Sequence, residues 1–276
     1  MNLRDFSLPA GWYPRSAAEI ERFLAPFRAG EGRARAAIAP HAGWFYSGRI
    51  AVAAVSGLDR QAETVAVLGG HLPAGSPFLF ALEDAARTPL GNMPIDAELR
   101  EPLLKELRGT EDCYRDNTVE VLLPMVRFFF PRAMLLWVRI PAEFSGFEAG
   151  RTIARAAEKL GRRLAVLAST DLTHYGAGYG FAPRGGGPAA LRWVREVNDA
   201  AFIRAVESND PAAVLERAEQ DRSSCSAGAV LGALGFAAAS GASLPRLLKY
   251  TTSADVPGGE GEFPDSFVGY AAFTFE

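Results

Sequence analysis

Short apolar runs rich in Val, Leu and Ile alternate with longer helical stretches along this 276-residue chain, and that alternation constrains the fold more than any other feature. Residues 35–39, 64–68, 133–140, 164–168, 247–252 and 267–275 read as strands. Their runs are nearly continuous rather than alternating, as expected where a sheet is covered on both faces. Residues 17–27, 49–56, 97–107, 147–160, 189–208, 211–219 and 227–240 read as helices, Pro211 after Asn209-Asp210 suiting a helix start. The pattern implies an α/β fold, a three-layer α/β/α domain with a mainly parallel central sheet. The sequence shows no internal repeat. Gly185-Gly186-Gly187 and Gly258-Gly259 are too short for interdomain linkers and read as surface loops, so residues 1–276 are expected to form a single domain.

Lysine and arginine are spread along the chain and the net charge is −3, which argues against a nucleic-acid partner. No apolar run reaches the ~20 residues of a membrane span, and residues 1–6 lack a signal-peptide core. A cytoplasmic protein is expected. In that compartment Cys113 and Cys225 are expected to stay reduced. Cys113, in a polar stretch, is assigned no role.

All three histidines follow apolar runs, where buried strands would end: Ala39-Pro40-His41-Ala42-Gly43, Gly69-Gly70-His71, and Asp171-Leu172-Thr173-His174. In open α/β folds ligands bind at that carboxyl edge. Three imidazoles there fit a metal site, an acid–base site, or both. For each a plainer reading stands beside this one. His41 can bond a neighbouring carbonyl, with Gly48 free for unusual backbone. His71 can be a turn residue facing solvent. Asp171 can fix the tautomer of His174, or instead cap a helix that has His174 in its first turn. Cys225 precedes an Ala-rich helix whose dipole favours the thiolate. It reads as a buried small residue, as half of a Cys–His nucleophilic pair, or as a soft third ligand beside two histidines.

Taken in order, these segments resemble the MEMO family, also known as AmmeMemoRadiSam system protein B, which is related to class III extradiol dioxygenases. Pro9-Ala10-Gly11-Trp12-Tyr13-Pro14 is similar to its Ala-Gly-x-Phe-Tyr-Pro, and Ala39–Gly48 to its most recognisable motif. Thr88-Pro89-Leu90-Gly91, Glu120-Val121-Leu122-Leu123-Pro124, Ser169-Thr170-Asp171-Leu172-Thr173-His174-Tyr175, Tyr250–Val256 and Val268-Gly269-Tyr270-Ala271 match further elements. The resemblance implies an extradiol-dioxygenase-like fold and a metal held by His41, His71 and Cys225. It also implies Asp171 and His174 as catalytic neighbours, His174 moving protons. The implied metal is Fe(II), with Zn or Cu also suited to a thiolate. The implied partner is a small aromatic or enolic substrate, or a peptide if the pocket serves binding alone, as in an adaptor. A zinc hydrolase is the weaker reading, since no carboxylate ligand stands out. Three departures touch the pocket. Gly69-Gly70-His71 replaces the family's Gly-Pro-x-His, Asn117 stands where it carries a histidine, and Ser226 rather than Gly follows Cys225.

Overall fold

Successive strand residues feed two separate cores. Val65, Val67, Leu135, Trp137, Ala165 and Leu167 enter one cluster, while Ala66, Leu68, Leu136, Val138, Val166 and Ala168 enter the other. A strand's side chains alternate between faces, so two cores on alternate residues mean a sheet with helices on both sides. The computed structural model describes residues 1–30, 32–256 and 263–276. Gly258-Gly259 lies outside the described residues.

In chain order the strands are β1 (Leu3–Arg4), β2 (Ala36–Ala39), β3 (Thr64–Leu72), β4 (Leu79–Phe80), β5 (Ala85–Ala86), β6 (Met93–Pro94), β7 (Thr110–Glu111), β8 (Met134–Pro141), β9 (Leu164–Ser169), β10 (His174–Gly176), β11 (Arg246–Thr252) and β12 (Ser266–Phe275). The helices are α1 (Ala17–Leu24), α2 (Trp44–Gly57), α3 (Ala97–Glu106), α4 (Asn117–Glu120), α5 (Leu123–Phe129), α6 (Ser145–Lys159), α7 (Gly187–Trp193), α8 (Asp199–Glu207), α9 (Pro211–Gln220) and α10 (Ala227–Ser240).

The main sheet is mixed. Its centre, β2-β9-β3-β8, is parallel, as the strand–helix alternation implies. The flanks differ, because β12 runs antiparallel to β2, β10 and β11, and β4 runs antiparallel to β8. Helices α1, α2 and α5 cover one face, and α3, α6, α8, α9 and α10 the other. The α6–α10 contact is close because it is built on small residues. A Cβ on Gly146 would lie 2.7 Å from the Gly228 carbonyl, and one on Gly150 would strike the Gly232 carbonyl.

Three expectations are corrected. Helix α2 starts at Trp44, not at residue 49, so the aromatic half of the His41 motif is its first turn. Gly48 is helical there, and what it supplies is room, since a Cβ would meet Phe23 at 3.0 Å. The stretch 189–208 is α7 and α8 joined through a π-helical turn, Val194–Asn198. His174 opens strand β10 rather than a helix, being paired with Val268.

Candidate metal centre

Parallel pairing of β2 with β9 sets Ala39 beside Ser169, so the chain leaves both strands at one point on the carboxyl edge. His41 and Asp171 sit just beyond. Asp171 ties three segments together: its Oδ1 accepts the His41 N–H at 2.8 Å, its carbonyl accepts the Cys225 N–H, and its own N–H donates to the Cys225 sulfur at 3.3 Å. Cys225 lies one residue before Ser226, the N-cap of α10, so the helix begins slightly later than a thiol at the terminus would require.

His71 arrives from β3. Gly69 and Gly70 before it are dictated by space: a Cβ on Gly69 would lie 2.7 Å from Val119, and one on Gly70 would strike Ser226. The weak Gly-Gly-His pattern therefore has a steric cause.

The ligand atoms of His41, His71 and Cys225 all lie within 4.8 Å of one another, with His41 Nε2 at 3.2 Å from the sulfur. Zinc-type bonds of about 2.0–2.3 Å would hold such atoms roughly 4 Å apart, so closing on an ion requires under about 1 Å of movement. The outward ring nitrogens are already engaged, His41 Nδ1 with Ser169 Oγ at 2.6 Å and His71 Nδ1 with Asp116 Oδ2 at 2.9 Å. Such partners fix ring orientation in metal sites and leave Nε2 as the ligand. Two imidazoles and a thiolate suit iron, zinc or copper.

Charge is arranged around the sulfur. Burial opposes ionisation of Cys225, yet the His41 and His71 rings hold its thiol well below the ordinary value. Burial likewise opposes charge on His41, and the sulfur and Asp171 outweigh it, raising that ring. On His71 burial is overcome first by the Asp116 hydrogen bond, and the ring is pushed up to about 10. Asp116 is drawn down to about 2 against its own burial, chiefly by His71 and Thr118. A bound cation would displace the ring protons.

A cavity of about 720 Å³ opens over the two histidines, while Cys225 borders a smaller neighbouring pocket with His174 and Tyr179. His41, His71, Asn117, Asp171 and His174 reach the larger one, and Trp12, Phe45, Tyr46, Tyr179 and Tyr270 supply aromatic wall. Among the described residues Asp171 and His174 share no hydrogen bond, although His174 lies near enough to pull the Asp171 carboxyl down against its burial. Asp171 serves His41, its Oδ2 lying 3.9 Å from His41 Nε2. His174 Nδ1 donates instead to the Leu172 carbonyl at 3.0 Å, which leaves Nε2 as its free nitrogen. The reason is the turn into β10, which folds the ring back over its own backbone and edge-on to Tyr179. Cys113 is exposed and free, well apart in role from Cys225, and the two form no disulfide.

Several functional neighbours carried a family motif or a departure from one, but no sign of what they do. Asn117 donates to the His41 carbonyl at 2.9 Å, so the residue standing for a histidine holds the His41 loop. Glu120 is buried and accepts from Ser7 N–H, Leu8 N–H and Tyr13 O–H, docking the N-terminal segment so that Trp12 lines the mouth. Ser169 stood in a family element without a role and Asp116 had no signal of its own; folding sets both behind the histidines.

Residues 4–274 match the Memo-like protein family. The chain belongs to that family. A MEMO1 family protein of Pyrococcus abyssi is 31% identical over 282 residues, covering 95% of this chain and 96% of its own. A MEMO1 family protein of Methanosarcina mazei is 28% identical over 287 residues, covering the whole of both. A crystal structure of an uncharacterized protein from Escherichia coli K12 aligns with a TM-score of 0.48 and 16% identity, over 87% of this chain and 99% of that one.

Proposed function

We propose that this Memo-like chain is a metal-dependent oxidoreductase in which His41, His71 and Cys225 hold Fe(II) and a small aromatic or enolic substrate occupies the cavity above them. The observation that carries this reading is the convergence of two imidazoles and a thiolate within 4.8 Å, the two imidazoles facing a cavity with aromatic walls. Bound there, the metal would supply the redox chemistry of two-His-one-carboxylate iron sites, with the Cys225 thiolate in the carboxylate's place. Asp171 holds the His41 loop and sets its carboxyl 3.9 Å from the ring. His174, with Nδ1 committed to Leu172, accepts or returns a substrate proton at Nε2. The aromatic walls exclude water and orient a flat ring. We also read residues 1–276 as one domain, supported by one sheet drawing strands from nearly the whole chain. The setting is read as cytoplasmic, supported by two free thiols; no helix among the described residues is long and apolar enough to cross a membrane. The net charge of −3 favours a small substrate over nucleic acid.

A second reading is binding without turnover, with a peptide seated in the same pocket. The exposure of Phe45 (63%) and Tyr46 (49%) at the mouth favours it. Metal analysis of protein purified without added metal, followed by anaerobic loading with Fe(II) and a catechol-cleavage assay, separates the two. Ring-opened product supports the oxidoreductase. Stoichiometric metal without turnover assigns the pocket to binding, and failure to retain any metal overturns the metal centre.

A further inference from the structure

Strand β3 breaks its ladder at the residue that matters. Gly69 is paired with Arg139 and Leu72 with Pro141, so Gly70 and His71 together oppose Ile140 alone. An extra residue of this kind bends a strand and re-aims a side chain, and such bulges recur beside functional sites. His71 pays in backbone conformation, with φ of 58°, a left-handed region that a side chain enters only under constraint.

The constraint comes from one buried cation. Arg139, whose side chain is 4% exposed, donates from Nε to the Gly70 carbonyl at 3.0 Å. Its Nη1 lies 3.3 Å from Asp112 Oδ1 and its Nη2 lies 3.2 Å from Asp116 Oδ2. Asp112 is held in turn by the Trp137 indole N–H at 2.9 Å. Asp116 Oδ2 is the oxygen that takes His71 Nδ1, and its Oδ1 accepts from Thr118. The Gly70 peptide is gripped at both ends, because its N–H donates to Thr118 Oγ1 at 3.2 Å. One guanidinium thus fixes both the backbone that carries His71 and the carboxylate that orients its ring. A lysine ammonium has no planar fork with which to span three such acceptors.

We propose that Arg139 is a positioning residue for the His71 ring, clamping the β3 bulge and Asp116 into the arrangement that presents Nε2 to Cys225 and His41. Arg139 lies outside the cavity lining, so it acts through His71 and not on substrate. The consequence for metal rests on the function proposed above; the placement of the ring does not.

The test is a double-mutant cycle read as Co(II) affinity in wild type, Arg139→Lys, His71→Ala and the double variant. Loss of an outer partner of a ligating histidine lowers affinity about 10–100-fold. Arg139→Lys is expected to do so with His71 present and to cost less than about twofold in the His71→Ala background. Equal losses in both backgrounds would show a general structural role and overturn the proposal. A second readout needs no metal. The His41 and His71 rings sit edge to face with centroids 4.8 Å apart, close enough for ring-proton nuclear Overhauser contacts. Those contacts are expected to weaken or vanish in Arg139→Lys, and their full retention would overturn the clamp. Wild type that binds no Co(II) removes the metal reading and leaves this second readout to decide. Should Arg139→Lys fail to fold, Asp116→Asn carries the same cycle and spectra while keeping the Arg139–Asp112 pair, and equal losses there are equally fatal.

Discussion

The two histidines of the candidate centre are mounted in opposite ways. His41 is 1% exposed, follows a regular parallel strand, and leans on a neutral hydroxyl, Ser169. His71 is 33% exposed, sits on a bulge at positive φ, and depends on the charged chain Asp116–Arg139–Asp112. The first is placed by main-chain pairing that the core would impose anyway. The second is placed by buried ion pairs, whose removal by halves is costly because it strands a charge. Strand packing therefore determines where the site is, and side-chain electrostatics complete it.

The third histidine extends the contrast and yields the largest expected effect. His174 belongs to neither mount, its ring being held by its own backbone. His174→Ala should leave metal content unchanged and lower any turnover 10²–10⁴-fold, the usual range for a lost general acid or base. Metal loss in that variant, measured by elemental analysis, would move His174 into the ligand set.

The loop before His174 has an electrostatic anchor of its own. Asp199 is fully buried, accepts from Thr173 N–H and O–H and from Tyr250 O–H at 2.7 Å, and among the described residues no cation is paired with it. Burial raises its carboxyl to about 6. A carboxyl raised on folding favours the folded state most below the unfolded value near 4, and that contribution is lost as pH rises through 6. The span corresponds to about 3 kcal/mol. Thermal midpoints of wild type should fall between pH 4 and 7 relative to Asp199→Asn, with a flatter profile for the variant. Parallel profiles would show that Asp199 titrates as it does in the unfolded chain.

Smaller effects probe the contrast directly. Cys225→Ser keeps the size of the side chain but removes the soft donor, and affinity for a thiophilic metal should fall well over tenfold in a chelator competition. Ser169→Ala, on the side placed by the main chain, should cost less than the tenfold minimum expected for the charged Asp116 side. A larger loss for Ser169→Ala than for Asp116→Asn would reverse the ranking of the two mounts.

The elements best read from sequence were the buried parallel strands, where continuous apolar runs at 64–68 and 164–168 match β3 and β9 to within their ends. Pairs such as β4, β5 and β6 are two residues long and carry no periodicity to detect. The start of α2 was hidden because Trp44-Phe45-Tyr46 has no helical capping residue and follows Gly43. Thr88-Pro89-Leu90-Gly91 shares the family resemblance with the site motifs yet forms a turn, its hydroxyl accepting from Leu90 N–H and donating to the Gly91 carbonyl, outside the cavity. A motif in sequence does not say whether it serves chemistry or shape.

By itself the sequence determined the α/β layering, the family, and the three strand ends and one helix start from which His41, His71, Asp171, His174 and Cys225 emerge, because strand and helix periodicities and short motifs are local properties. Tertiary structure alone decided what those residues do to one another. That Asp171 serves His41 and that Arg139 reaches Gly70 depend on contacts 130 and 69 residues apart in the chain, and the His174–Leu172 bond, though two residues apart, follows the pairing of His174 with Val268. Such contacts are set by which strands become neighbours and where a ladder slips by one residue, and no local pattern encodes that.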